Sequence, residues 1–137
     1  MSRSDYSDDC ENLGLWRGAV YRATTGYRGQ AFLVRLRAAL DALPTKRLIT
    51  DAIKDGSGDV CALGALDATV QEYDATHLAE HFGIARALAA EIVFMNDEAL
   101  AWLCENETPE QRWTRMRAWV DAQISSSSCV PTDEARR

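Results

Sequence analysis

The chain has 137 residues, of which 47% are hydrophobic and 26% are charged, and its formal net charge is −6. This length fits one domain with its own core, and no apolar run reaches the roughly 18 residues of a membrane span. The polar N-terminus has no hydrophobic signal segment. We therefore expect a cytoplasmic protein without a membrane partner.

The composition divides the chain into three segments. Residues 1–12 are polar and acidic, which predicts a disordered tail. Residues 13–124 hold all of the amphipathic patterns and predict one helical domain. The serine-rich residues 125–137 predict a flexible C-terminal tail.

The first half of the chain predicts three helices. Apolar residues recur at helical spacing over 13–24 and again over 29–43. Pro44 ends the second pattern, and Thr45 can cap a short helix over 46–54.

A glycine-rich corner is predicted over 55–61. Gly56 and Gly58 give the backbone the freedom that a tight turn needs, and the residues on either side can pair as one tiny β-hairpin. Helical spacing returns over 62–70. Gly64 inside it predicts that another backbone lies close by, since glycine costs about 1 kcal/mol relative to alanine in a helix.

Clear helix boundaries mark the second half. Asp74 or Thr76 is the predicted cap of a helix over 77–82, which Gly83 ends. A longer helix follows over 84–95, where alanines permit close packing.

Two further helices are predicted near the C-terminus. Asn96 or Asp97 can cap a short helix that runs to Cys104. The last helix has the best start signal, with Thr108 as cap, proline next and glutamine at the third position, and it is expected to end near Ile124.

The predicted fold is therefore all-α, a compact bundle of five to seven helices around the 55–61 corner. The abundance of alanine and leucine and the scarcity of β-branched residues favour the same fold class. The expected core comprises Trp16, Phe32, Leu36, Leu40, Leu48, Ile53, Leu63, Leu66, Leu88, Ile92, Leu103, Trp113, Met116 and Val120.

The charges are unevenly distributed along the chain. Residues 13–50 carry seven basic side chains and one acidic one, whereas residues 51–110 carry thirteen acidic and two basic ones. The two parts can lie together and neutralise each other, or the acidic part can face a basic partner. For the second case the predicted interaction surface comprises Asp59, Asp67, Glu72, Asp74, Glu80, Glu91, Asp97, Glu98 and Trp119.

A few side chains suggest catalysis or metal binding. Cys61 starts a helix and could act as a nucleophile with His77 as base, although apolar neighbours favour a buried thiol. His77 and His81 lie one helical turn apart and could share a metal, but no third ligand is evident. We expect no cofactor.

Two stretches carry a resemblance to known proteins. The first is the turn-to-helix run from Val60 to Leu66. The second is Met95-Asn96-Asp97-Glu98, ahead of the helix that opens at Thr108. Together they resemble a group of small uncharacterised proteins from bacteria and from phage or prophage regions. The resemblance implies an intracellular helical protein, encoded by a mobile element, without a catalytic residue.

The favoured hypothesis is a non-enzymatic protein-interaction module. It would act as a phage-encoded inhibitor that binds a host defence protein, or another protein with a basic surface, through its acidic residues. A small cysteine- or metal-dependent hydrolase is one alternative. A nucleic-acid binder that uses the basic segment 13–50 is another, and the sequence does not predict the oligomeric state.

Overall fold

The computed structural model describes residues 13–70, 74–98 and 106–128, and within these ranges it contains six α-helices and no strand. The predicted all-α class is confirmed. None of the helices in these ranges has the length and apolar character needed to cross a membrane. The helices are α1 (Leu13–Thr25), α2 (Tyr27–Ala42), α3 (Ala62–Leu66), α4 (Ala75–Phe82), α5 (Arg86–Asp97) and α6 (Pro109–Ser128).

The first two helices follow each other with only Gly26 between them. Gly29 is buried, and a Cβ atom added to it would lie 1.8 Å from the carbonyl oxygen of Ala23. That distance is far inside van der Waals contact, so α1 and α2 can meet at this point only because residue 29 is glycine.

The core lies mainly between α2, α3, α5 and α6. Helix α2 packs on α3 and α6, α4 packs on α5, and α1 packs on α2 and α5. Ten predicted core residues are buried, namely Phe32, Leu36, Leu40, Leu48, Ile53, Leu63, Leu88, Ile92, Met116 and Val120. Trp16, Leu66 and Trp113 are half-buried, and Leu103 lies outside the described residues.

The prediction of a helix over 46–54 is wrong, because the structure has no helix between α2 and α3. The backbone N–H of Leu48 donates to the carbonyl oxygen of Pro109 at 3.0 Å, and that of Ile49 donates to Val60 at 2.9 Å. These bonds to distant parts of the chain replace the i to i−4 bonds of a helix. Asp51 even has a left-handed φ of 64°, so the segment is irregular although Leu48 and Ile53 are buried.

The turn after this segment is held by Asp55. Its Oδ1 accepts hydrogen bonds from the N–H groups of Ser57 at 2.8 Å and Asp59 at 3.0 Å. Gly58 has a φ of 88°, which suits glycine. Lys54 and the residue after the turn, Val60, then form one isolated antiparallel bridge.

Helix α3 is shorter than the predicted helix over 62–70. It ends at Leu66 because Asp67 starts a turn of its own, in which its Oδ1 accepts from the N–H of Thr69 at 2.9 Å. The close approach predicted at Gly64 is confirmed, since a Cβ atom there would lie 2.4 Å from the carbonyl oxygen of Ile53.

The predicted caps of α4 and α6 are confirmed, although α4 begins at Ala75, two residues before its predicted start. Asp74 accepts from the N–H of His77 at 2.8 Å, and Gly83 ends α4 with a φ of 72°. At α6 the N–H of Thr108 donates to the Gln111 side chain at 2.9 Å, and the reciprocal bond is 3.1 Å. Helix α6 continues to Ser128, four residues into the predicted tail.

Helix α5 differs from the prediction at both ends. It begins at Arg86 and continues through Asp97, so neither Asn96 nor Asp97 starts a new helix. Most of the predicted helix to Cys104 lies outside the described residues, as do residues 1–12.

Asn96 is instead a buried link between three segments, with 1% of its surface exposed. Its Oδ1 accepts from the N–H of Ala62 at 3.1 Å, at the start of α3. Its Nδ2 donates to the carbonyl oxygen of Ile49 at 2.9 Å and to Asp97 Oδ1 at 2.7 Å. The amide therefore satisfies backbone groups that tertiary packing removes from water.

Candidate interaction surface

Helix α4 brings together three of the acidic residues that the sequence predicted for a surface. Asp74 caps the helix, Glu80 lies on its exposed side, and Asp67 belongs to the turn that follows α3. We call Asp67, Asp74 and Glu80 the α4 carboxylate face. What this face can bind depends on the hydrogen-bond partners of its carboxylates and on their exposure to solvent.

Asp74 is held by His77, three residues later in the helix. The carboxylate accepts from the backbone N–H of His77, and Nδ1 of the imidazole lies 2.8 Å from it. The backbone bond and then the imidazole lower the pKa of Asp74 below its ordinary value. About half of each side chain is exposed, so this charge pair faces solvent.

Asp67 has a similar arrangement with Thr69 and His81. The Thr69 hydroxyl and backbone N–H both donate to the carboxylate, and His81 Nε2 lies 2.9 Å from Oδ2. These bonds, with the Thr69 hydroxyl first, lower the pKa of Asp67 to about 2. The carboxylate therefore stays ionised throughout the physiological pH range.

The α4 carboxylate face is negative at neutral pH. In the described part of the chain its ion-pair partners are histidines, which are charged only when protonated. Glu80 is exposed and forms no ion pair with another described residue. No arginine or lysine of residues 13–70, 74–98 or 106–128 forms an ion pair with this face, so it can offer up to three carboxylates to a cationic partner.

The two histidines were only candidate metal ligands in the sequence, and the structure gives them different partners. His77 turns to Asp74 and His81 turns to Asp67. Among the residues that the structure describes, no group of three His, Cys, Asp or Glu side chains could hold a metal ion. The sequence spacings Asp74-x-x-His77 and Asp67-x-Thr69 are the local signals that could have indicated these pairs.

Other predicted surface carboxylates are engaged elsewhere. Asp59 forms a 2.9 Å ion pair with Arg47. Asp97 accepts from the backbone N–H of Asp51 and from the Asn96 amide. Glu98 is half-buried at the end of α5, and Glu72 lies outside the described residues.

Glu91 does not belong to an exposed surface, which corrects the prediction. Its side chain is 6% exposed, and its two oxygens accept from Arg17 at 2.8 and 3.2 Å. This bidentate pair joins α5 to α1, so it binds helices together rather than a partner.

Trp119 is half-buried and packs against the core, although the sequence suggested an exposed tryptophan. Together with Arg17, Glu91 and Tyr21 it lines a cavity of about 390 Å³ between α1, α5 and α6. The cavity contains a carboxylate and its own guanidinium counter-charge. Because Arg17 and Glu91 neutralise each other, this pair gives the cavity no net charge that would attract a ligand.

Much of the basic segment 13–50 is occupied in the same way. Arg17, Arg37 and Arg47 form ion pairs with Glu91, Asp121 and Asp59. Lys46 donates to two backbone carbonyl groups. The segment therefore does not form a continuous row of free cations of the kind that a phosphate backbone needs.

Cys61 is buried, with 1% of its surface exposed, and lies at the start of the five-residue α3. His77, its proposed base, is exposed and held by Asp74. A nucleophile has to reach its substrate, so the burial of the thiol argues against the cysteine-hydrolase alternative.

The stretches that carry the resemblance to bacterial and phage proteins have structural roles here. Val60 pairs across the turn, Gly64 permits a close backbone contact, and Asn96 links three segments. The proposed kinship with that group stays a prediction. Comparisons of the chain with protein-family models, with curated proteins and with solved structures found no match.

Proposed function

We propose that this protein is a non-enzymatic interaction module that binds a basic protein surface through its α4 carboxylate face. The observation that carries the proposal is the pairing of Asp67 and Asp74 with histidines instead of arginines. Carboxylates that lack a permanent counter-charge attract lysine and arginine side chains, and such attraction speeds association and selects partners.

The rigidity of the face supports the same function. Asp74 is fixed by the N-cap bond, and Asp67 is fixed by the two bonds from Thr69. Helix α4 packs on α5 through buried Leu78 and Ala79. A partner would therefore meet carboxylates that are already in position, which lowers the entropic cost of binding.

As part of this proposal, the partner is a host protein in the cytoplasm, and the chain is a phage-encoded inhibitor of a defence complex. A protein that binds nucleic acid is a suitable target, since its cationic surface fits an acidic face. The inhibitor would then compete with the nucleic acid for the same cations.

The test compares two triple variants with equal charge change. The first, Asp67→Asn/Asp74→Asn/Glu80→Gln, removes the face. The control, Asp51→Asn/Asp55→Asn/Glu110→Gln, removes three exposed carboxylates elsewhere. Each protein is used for affinity capture from host extract, and the captured partner is then purified and titrated by calorimetry at low and high salt.

We expect the wild type and the control to capture the same basic partner, with an affinity that falls as salt rises. The α4 variant should bind at least about tenfold more weakly, a loss of roughly 1.4 kcal/mol. Equal affinity of the two triple variants, or a partner whose binding ignores salt, would refute the proposal.

A further inference from the structure

The outer face of α2 is apolar, exposed and separate from the α4 carboxylate face. Tyr27 is 92% exposed and Val34 is 45% exposed. Ala31 and Ala38 are exposed between and beyond them. Positions 27, 31, 34 and 38 follow the spacing of one helix face and span about 17 Å along the axis at 1.5 Å per residue.

One edge of this strip is basic. Arg28 and Arg35 are both exposed and lie two helical turns apart. Arg28 forms no ion pair with any other residue in the described ranges. The guanidinium of Arg35 lies 5.6 Å from the centre of the Phe32 ring. Among the residues that the structure describes, no carboxylate forms an ion pair with either arginine.

The alanines determine which shape fits the strip. Ala31 leaves a shallow depression between the larger Tyr27 and Val34, and Ala38 leaves one beyond Val34. Side chains from a second helix pack into such depressions. With only two arginines over this distance, the strip lacks the cation density of a phosphate-binding surface. The observations therefore favour a helix of a protein over a nucleic acid.

A second copy of the chain fits the strip poorly. In an antiparallel pair of α2 helices related by a two-fold axis, the same edge of each helix meets its copy, so the arginine edges would face each other. In a parallel pair, the arginine edge would face the edge of Val34 and Asp41, and Asp41 is already bound by Arg117 at 2.7 Å. Neither arrangement supplies a free carboxylate for Arg28.

We propose that the outer face of α2 binds an amphipathic helix of a partner protein that carries acidic residues along one edge. Leucine-sized side chains of that helix pack over Ala31 and Ala38, and its carboxylates meet Arg28 and Arg35. This surface goes beyond the proposed function, because it has the opposite charge and does not involve α4.

The test uses two designed helical peptides of about 18 residues, in which leucines form one face. In one peptide glutamates flank the leucines, and in the other lysines replace the glutamates. Binding of the fluorescein-labelled peptides is measured by anisotropy with the wild type, with Arg28→Glu/Arg35→Glu, and with the control Arg22→Glu/Lys54→Glu. The control changes the net charge equally at two exposed cations outside the strip.

We expect the glutamate peptide to bind at least about tenfold more tightly than the lysine peptide. Arg28→Glu/Arg35→Glu should weaken binding of the glutamate peptide at least about tenfold. The control should weaken it less, and the logarithm of its loss in affinity should be below half of that for Arg28→Glu/Arg35→Glu. Amide chemical shifts in the wild type should move along α2. Asp67→Asn/Asp74→Asn/Glu80→Gln should keep its affinity for the peptide, which separates this proposal from the proposed function.

Several results would overturn the proposal. These are no binding of the glutamate peptide up to about 1 mM, an equal loss in the control, or shift changes away from α2. Binding of duplex DNA to the same face more tightly than the glutamate peptide would also overturn the proposal. So would a dimer of the wild-type chain, if the substitutions Arg28→Glu/Arg35→Glu dissociate it. If that variant does not fold, the shift map of the wild type and the variant Val34→Glu decide the question.

Discussion

The ion-paired carboxylates in the described part of the chain fall into two sets that differ in their partners. Glu91, Glu107 and Asp41 pair with arginines, mostly from helices that are distant in sequence. Asp67 and Asp74 pair with histidines at α4. A guanidinium stays charged at every accessible pH and binds a carboxylate in two places, whereas an imidazole is charged only when protonated.

This difference shows which carboxylates of this acidic chain remain available to bind a partner. The arginine pairs join helices and cancel charge, so these carboxylates serve the fold. The histidine pairs hold Asp67 and Asp74 in place without a permanent positive charge. Stability should therefore depend on the first set, and recognition of a basic partner on the second.

Glu107→Gln should have the largest effect on stability. The Glu107 side chain is 9% exposed and binds Arg115 at 2.7 Å and Arg112 at 3.3 Å. Its loss leaves two largely buried guanidinium groups without this counter-charge, which costs about 2–3 kcal/mol. Urea denaturation measures the change, and Glu110→Gln, at an exposed position of α6, should cost less than about 0.5 kcal/mol.

The same substitution has a defined pH dependence. Arg115 holds the pKa of Glu107 below its ordinary value. The stabilisation is therefore fully present above the unfolded pKa of about 4.3 and is lost as the pH falls through the lower native pKa. The difference between the wild type and Glu107→Gln should be constant from pH 6 to about pH 5 and shrink below about pH 4.

Arg17→Met should have the next largest effect. It removes the bidentate partner of the buried Glu91, but Arg17 itself is 50% exposed and solvent screens the pair. We expect a loss of about 1–2 kcal/mol in the free energy of unfolding. The matched change Arg28→Met, at an exposed arginine, should stay within about 0.5 kcal/mol of the wild type, and equal losses would contradict the role of the ion pair.

Asp74→Ala probes the histidine set. It removes the N-cap of α4 and should lower the midpoint of thermal unfolding. Asp74→Asn keeps an oxygen that accepts from the backbone of His77 and should cost less, although it removes the charge. Thermal unfolding measures both variants, and a larger cost for the asparagine variant would show that the charge, not the cap, stabilises α4.

Thr69→Val should have the smallest effect on stability but a clear effect on titration. It removes the hydroxyl donor that contributes most to the low pKa of Asp67. Carboxyl carbon shifts should show Asp67 titrating at about 2 in the wild type and at a higher pH in the variant. Because the native pKa is lowered, the associated stabilisation is present above about pH 3.9 and is lost as the pH falls through about 2.

Local patterns in the sequence were sufficient for most helices. The caps at Asp74 and Thr108 and the stop at Gly83 use side chains and backbone within a few residues, so their spacing alone indicates them. Helical spacing also predicted the buried faces of α2 and α6. Gly64 was informative because glycine destabilises a helix and is therefore retained where a side chain has no room. At this position the Ile53 carbonyl group leaves no space for a Cβ atom.

The candidate surface was predictable only in part. Asp67, Asp74 and Glu80 were recognised as acidic, but nothing in the sequence separated them from Glu91, which is buried against Arg17. These residues are 74 positions apart, and charge counting along the chain cannot show which pairs will meet. The pairing, and not the number of carboxylates, decides which of them face solvent.

By itself the sequence determined the all-α class, the caps of α4 and α6 and most of the core, because these depend on spacing within one or two helical turns. Tertiary structure decided the irregular segment over 46–54, whose backbone bonds to Pro109 and Val60 replace a helix. It also decided the buried position of Asn96 and the partner of each carboxylate. Such bonds join residues far apart in the chain, and their energy depends on burial that only the packed helices create.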